Sequence, residues 1–241
     1  MIRILTLLLV AALLAATPAM AQYNEDESFR NELSYGINFN SNGGLIGGAF
    51  IRSSYFVNEN RYQFFGLEAV EVKHPKEEHY IAALGEPFVY GKKNYLFVIR
   101  PHYGQERVLF RKAAESGVQV NALVAVGPSI GLQVPYYIDY NFDGNGTDVR
   151  TVPYDENVHS IDYILGSDTV FRGFGESKIK PGVHGKAGVS FEYGRYRESI
   201  AGIEVGVGVE YFPSKPIIIP LAENNNVFTS VYLNLYYGSR K

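Results

Sequence analysis

Apolar and polar residues alternate with a period of two along most of this chain. Leu33, Tyr35, Ile37 and Phe39 alternate with Ser34, Gly36 and Asn38. Ala187, Val189, Phe191 and Tyr193 alternate with Lys186, Gly188, Ser190 and Glu192. Ala201, Ile203, Val205, Val207, Val209 and Tyr211 alternate with Gly202, Glu204, Gly206, Gly208 and Glu210. Val231, Leu233, Leu235 and Tyr237 alternate with Ser230, Tyr232, Asn234 and Tyr236. Successive side chains of a strand point to opposite faces, so each segment has one apolar and one polar face. Eight strands follow: Glu32–Asn40, Leu45–Phe56, Tyr62–Lys73, Asn94–Phe110, Val118–Pro135, Val183–Gly194, Ile200–Phe212 and Val227–Gly238. In the third to fifth, Leu96, Val98 and Ala125 blur the alternation. Pro101 predicts a bulge or an edge position.

The connections sort by length. Ser41–Gly44, Val57–Arg61, Arg111–Gly117 and Arg195–Ser199 are short, whereas His74–Lys93, Tyr136–Gly182 and Pro213–Asn226 are long. Bacterial membrane barrels have short periplasmic turns and longer outer loops. With both termini on the periplasmic side, every inward turn is short and three of the four outward ones are long. The fold class this predicts is all-β, an eight-stranded antiparallel transmembrane up-and-down barrel with long extracellular loops. A loop as long as 136–182 is functional or disordered.

Two features favour a membrane barrel over a soluble one. The polar faces carry Gly36, Gly188, Gly202, Gly206 and Gly208, which weaken a solvated strand but suit the narrow inside of an eight-stranded cylinder. Tyr35, Tyr62, Tyr95, Tyr193, Tyr211, Tyr236 and Tyr237 gather near strand ends, as the aromatic girdles of such barrels do. Hydrocarbon offers no partner to an open sheet edge, so the barrel must close.

Composition agrees. The 241 residues include 19 Tyr, 15 Phe and 25 Gly, with no Cys and no Trp. Without Cys there is no disulfide framework and no thiolate chemistry. The net charge of −3 is scattered, with no basic stripe for nucleic acid. Residues 1–21 read as a signal peptide: Arg3 opens it, Ile4–Ala16 is apolar, and Ala19-Met20-Ala21 is a cleavage pattern before Gln22. Residues 22–241 are then the barrel domain.

Charges on the polar face must be paired if they are buried. Arg52, Arg100, His102, His184, Lys186, Glu192, Glu204 and Glu210 are the expected inward residues, read as an ion-pair network that fills the lumen. A polar path for a small solute or ion is the alternative. Asp143, Asn145, Thr147 and Asp148 place oxygens at alternating positions, as a hard cation requires. They lack the glycine and terminal glutamate of a calcium loop, so a turn is the plainer reading. His74 and His79 flank Glu77 and Glu78 in a loop that reads as solvated. No cofactor is expected. For catalysis, His184 and Ser190 share a strand face but lie about 20 Å apart at strand rise, too far for activation.

The signal ending Ala19-Met20-Ala21-Gln22 and the terminal strand from Phe228 to Tyr237 resemble those of the small outer-membrane β-barrel proteins of Bacteroidota, the OmpA-like and PorT-like eight-stranded barrels. This chain departs from the pattern by ending Gly238-Ser239-Arg240-Lys241 rather than on an aromatic residue. The resemblance implies an outer-membrane location. It implies outer-membrane lipid, lipopolysaccharide and the barrel-assembly machinery as partners. PorT-like members are associated with protein secretion, so the resemblance implies a place in a secretion or assembly complex; a non-enzymatic structural or interaction role is expected from the His184–Ser190 spacing, and a protein partner met through 136–182 from the length of that loop. A narrow porin-like channel and a lipid-modifying barrel enzyme are the alternatives.

Overall fold

A strand with one apolar and one polar face must bury one of them, and a sheet that curls until its edges pair leaves no strand unpartnered. The computed structural model describes residues 31–58, 60–82, 85–111, 117–193 and 199–240. The expected signal segment lies outside them. The strands are β1 (Asn31–Asn40), β2 (Gly44–Asn58), β3 (Arg61–Val72), β4 (His79–Ile81), β5 (Pro87–Val89), β6 (Asn94–Phe110), β7 (Val118–Pro135), β8 (Tyr137–Asn141), β9 (Val149–Pro153), β10 (Ile164–Ser167), β11 (Lys178–Tyr193), β12 (Ser199–Tyr211) and β13 (Val227–Arg240). Short 3-10 turns cover Ile161–Tyr163 and Val170–Glu176.

Eight strands close into a barrel in the order β1-β13-β12-β11-β7-β6-β3-β2. Each pairs antiparallel with its neighbours, an up-and-down meander. Closure runs from Glu32 opposite Arg240 to Asn40 opposite Tyr232. β11 begins at Lys178, earlier than the alternation suggested, because Lys178–Gly182 continue the ladder on Gln133–Ser129 of β7. Pro101 makes no bulge. It sits opposite Leu67 in an unbroken ladder to β3, and the β6–β7 register is the same on either side of it. The irregularity in that pair falls between Val108 and Phe110.

The two faces differ sharply. Val126, Val207, Val231, Leu235, Ile203 and Phe65 all point outward and stay exposed. The inward face is polar through the middle. Tyr236 and Tyr62 do not join an outer girdle: Tyr236 is buried inside, and Tyr62 shares the inward face of β3 with Phe64, opposite Glu106. Tyr35, Tyr193, Tyr211 and Tyr237 remain exposed outside.

The inward glycines make room for rings. Tyr236 lies opposite Gly36 on one side and Gly202 on the other. A Cβ at Gly202 would come 2.3 Å from the Tyr236 ring, and one at Gly206 2.6 Å from the Tyr232 hydroxyl. At the end holding the long loops the inward face turns apolar. There Val70, Val72, Leu96 and Val98 pack with Phe212, Ile218 and Ile219. This explains the blurred alternation of β6: residues 213–226 fold over the mouth, so both strand faces there are covered by apolar groups.

Candidate functional site

The sequence offers the lumen and the outer loops as candidate sites. All eight expected inward residues face the lumen. Arg52, His102, His184, Lys186, Glu192, Glu204 and Glu210 are buried, and Arg100 is partly so. They form three tiers rather than one cluster. In the middle tier Arg52 pairs with Glu204. The Lys186 ammonium stands 3.7 Å from Glu68 and 3.9 Å from Glu204. The Asn38 amide donates to Glu68 at 3.0 Å and to Asn234 at 2.7 Å, and Asn234 donates to Glu204 at 3.2 Å. Towards the long loops, Arg100 donates through two nitrogens to Glu210 at 2.9 and 2.7 Å. At the opposite end, Glu106 accepts from Asn121 at 2.6 Å, and Arg240 bridges Glu32 at 2.8 Å and Glu192 at 2.5 Å.

Sequence reasoning missed Asn38, Glu68, Glu106, Asn121, Ser129 and Asn234, although each lies on an inward position by parity. It also missed the role of the unusual terminus, where Arg240 closes the far end of the network.

Two arrangements bear on chemistry. Ser129 Oγ donates to Glu210 at 2.5 Å and lies 3.2 Å from His184 Nδ1. The serine is thus engaged by the carboxylate, and both it and His184 are buried inside the barrel. Second, the space left among Asn38, Glu68, His184, Lys186 and Tyr232 amounts to a cavity of about 20 Å³. That is room for about one water.

The described residues of the long loops build a cap. β8 pairs with β9 and β10 in a three-stranded sheet, and β4 with β5 in a hairpin. Their shared core is Ala82, Phe88, Val89, Tyr136, Ile138, Tyr140, Tyr154 and Ile164. The Val89 N–H donates to the Tyr136 hydroxyl at 2.9 Å, tying the first long loop to the second. The Lys93 N–H donates to Ile218 O at 2.8 Å, tying in the third. Lys92 packs over the Tyr95 ring and donates to Glu77 at 2.9 Å. Burial pulls its ammonium below the ordinary lysine range, and the Glu77 carboxylate works against that.

At the 143–148 turn the oxygens are already engaged. Asp143 accepts from the N–H groups of Asn145, Gly146 and Thr147 at 3.1 to 3.2 Å and from the Thr147 hydroxyl. Its carboxyl is held down to about 2, chiefly by that hydroxyl. Asp148 receives both forks of Arg150 at 2.7 Å. Gly144 and Gly146 take positive φ, +71° and +83°, which the tight turn requires. Among the described residues no three His, Asp or Glu side chains gather as a metal site would need. His74 accepts from the Lys76 N–H and sits 3.1 Å from Glu223 O, tying the first long loop to the third.

The class of protein this defines is a closed eight-stranded antiparallel barrel with one mouth capped. No protein-family model matches the chain, and no curated protein sequence does. Among solved structures it is similar to the attachment invasion locus protein Ail of Yersinia pestis, at 11% identity and TM-score 0.37, covering 88% of this chain and 96% of that one. It is similar to Neisserial surface protein A, NspA, at 10% identity and TM-score 0.39, covering 88% and 97%. Ail has also been solved in complex with the heparin analogue sucrose octasulfate.

Proposed function

We propose that this chain is an exported, non-enzymatic outer-membrane barrel whose lumen is filled and whose folded cap binds a protein partner. The observation that carries the reading is the inversion of its faces. A closed sheet with exposed valine, isoleucine, leucine and phenylalanine around its wall and paired charges inside is built for a hydrocarbon solvent. Lipid and lipopolysaccharide then surround the wall, and the barrel-assembly machinery inserts it. The export segment Met1–Ala21 and a role in a secretion or assembly complex belong to the same proposal.

A channel is disfavoured by the lumen, where Arg52, Lys186, Glu68 and Glu204 fill the cross-section. An enzyme is disfavoured by the burial of Ser129 and His184 inside the barrel. The cap is what remains free to do work. It has its own core and three loops tied together, more than short sealing turns would need. The test is a cross-linking pull-down of the intact chain against one in which residues 137–177 are replaced by a short turn, with the barrel fold of both checked on gels. Outer-membrane proteins captured by the intact chain are expected to disappear from the shortened one. An identical captured set contradicts a cap-borne partner site.

A further inference from the structure

One part of the second long loop does not rise with the cap but lies against the outer wall of the barrel. The 3-10 turn Val170–Glu176 packs on the end of β7. A Cβ at Gly173 would come 2.5 Å from Pro135 O and 3.0 Å from Val134 Cγ1. Its two phenylalanines extend a stack of rings that starts on the wall. Tyr95 and Phe97, both outward on β6, stack at 6.0 Å with planes 25° apart. Phe97 stacks on Phe174 at 5.7 Å and Phe174 on Phe171 at 6.0 Å, each pair 24° apart. Leu132 and Ile179 stand in register with Phe97 on β7 and β11, and Glu71 on β3, so the stack leaves the wall at the margin of the apolar belt. Yet Phe171 is 77% exposed and Ile179 69% exposed. A ring so open is not serving the cap's own core.

We infer that the Val170–Glu176 turn is an interfacial lipid anchor, which sets Phe171 and Phe174 among the headgroups and upper acyl chains of the outer leaflet. This rests on the membrane reading above and deepens it. The occupant is lipid because towards β7 and β11 the turn's apolar surface continues that of the wall through Leu132 and Ile179, Glu71 opposite Phe97 on β3 marks the margin of the apolar belt, and aromatic rings favour the depth of such a margin. Charge does not select the lipid. Arg172 pairs with Asp168 and Glu176 accepts from the Tyr137 hydroxyl at 2.7 Å, so insertion needs no anionic headgroup. The anchor holds the underside of the cap at a fixed height above the bilayer, as a membrane-surface amphipathic segment does.

The chain has no tryptophan, so single Trp substitutions report local depth directly. Phe171→Trp, Val126→Trp and Asn145→Trp would each be refolded into phosphatidylcholine vesicles carrying bromines at a shallow or a deep acyl position. Val126 is on the belt and 64% exposed, and Asn145 is in the turn beyond β8. Phe171→Trp is expected to emit at blue-shifted wavelength and to be quenched several-fold more by shallow than by deep bromines, unchanged by high salt. Val126→Trp is quenched by deep bromines, and Asn145→Trp by neither. Quenched Val126→Trp with an unquenched, red-emitting Phe171→Trp overturns the anchor alone. Loss of quenching at Val126→Trp overturns the membrane reading and the anchor with it.

Discussion

Glu204 has no exposed surface, yet it carries a charge deep inside the barrel. Arg52 and Lys186 both reach it, and Asn234 donates a further hydrogen bond. Removing one partner of a buried pair leaves the other uncompensated, which costs about 3–5 kcal/mol, whereas replacing both by apolar or neutral groups of similar volume is nearly neutral. Arg52→Ala is therefore expected to lower the stability of the folded barrel by about 3–5 kcal/mol. Arg52→Met combined with Glu204→Gln should recover most of that. Urea unfolding followed by tyrosine emission measures both. An Arg52→Ala midpoint equal to that of the parent would mean the pair bears no stability. Much of this tier is legible in the sequence, because strict alternation assigns every residue of a strand to a face. What alternation does not show is who meets whom. Asn38 finds Asn234 from 196 residues away, a pairing that only barrel closure creates. Composition does not separate a lumen tyrosine from a girdle tyrosine, but parity does: Tyr236 and Tyr237 are adjacent and lie on opposite faces.

Between strands, the sequence signal fails where elements are short. β6 and β7 begin and end where the sequence places them, because each is long enough to register even though Leu96, Val98 and Ala125 blur its alternation. β4, β5, β8, β9 and β10 span three to five residues each, too few for a period to register. Their stability comes from packing on one another, centred on Tyr136 and Ile138. The loop 213–226 is another such element. It holds itself over the mouth by Asn224, which accepts from Ile218 N–H at 2.8 Å and donates to Ile219 O at 2.8 Å. Phe212, fully buried against Ile218, Leu96 and Val98, is the hinge of that seal. Truncating a buried phenylalanine costs about 3–5 kcal/mol, and here the loss falls on the seal rather than the ladder. Phe212→Ala is expected to speed cleavage after Glu223 by a glutamate-specific protease while leaving the strands resistant. Cleavage at an unchanged rate would show that the loop is held by its hydrogen bonds alone.

For the molecule as a whole, the apolar belt, the polar lumen and the capped mouth are parts of one arrangement. A soluble protein would not leave Val126, Val207, Val231 and Leu235 bare around a complete circumference while burying Arg52, Glu68, Lys186 and Glu204. Closure also removes every edge strand of the barrel, so the sheet survives in a solvent that offers no hydrogen bonds. A barrel of this kind resists detergent until it is boiled, because the ladder must open all round before any strand is released. The most direct measurement is therefore the migration of the chain on SDS gels from the isolated outer-membrane fraction, with and without heating. The account predicts a compact, fast-migrating band that shifts to the full-length position only after boiling. A single band at one position in a soluble periplasmic fraction would contradict it.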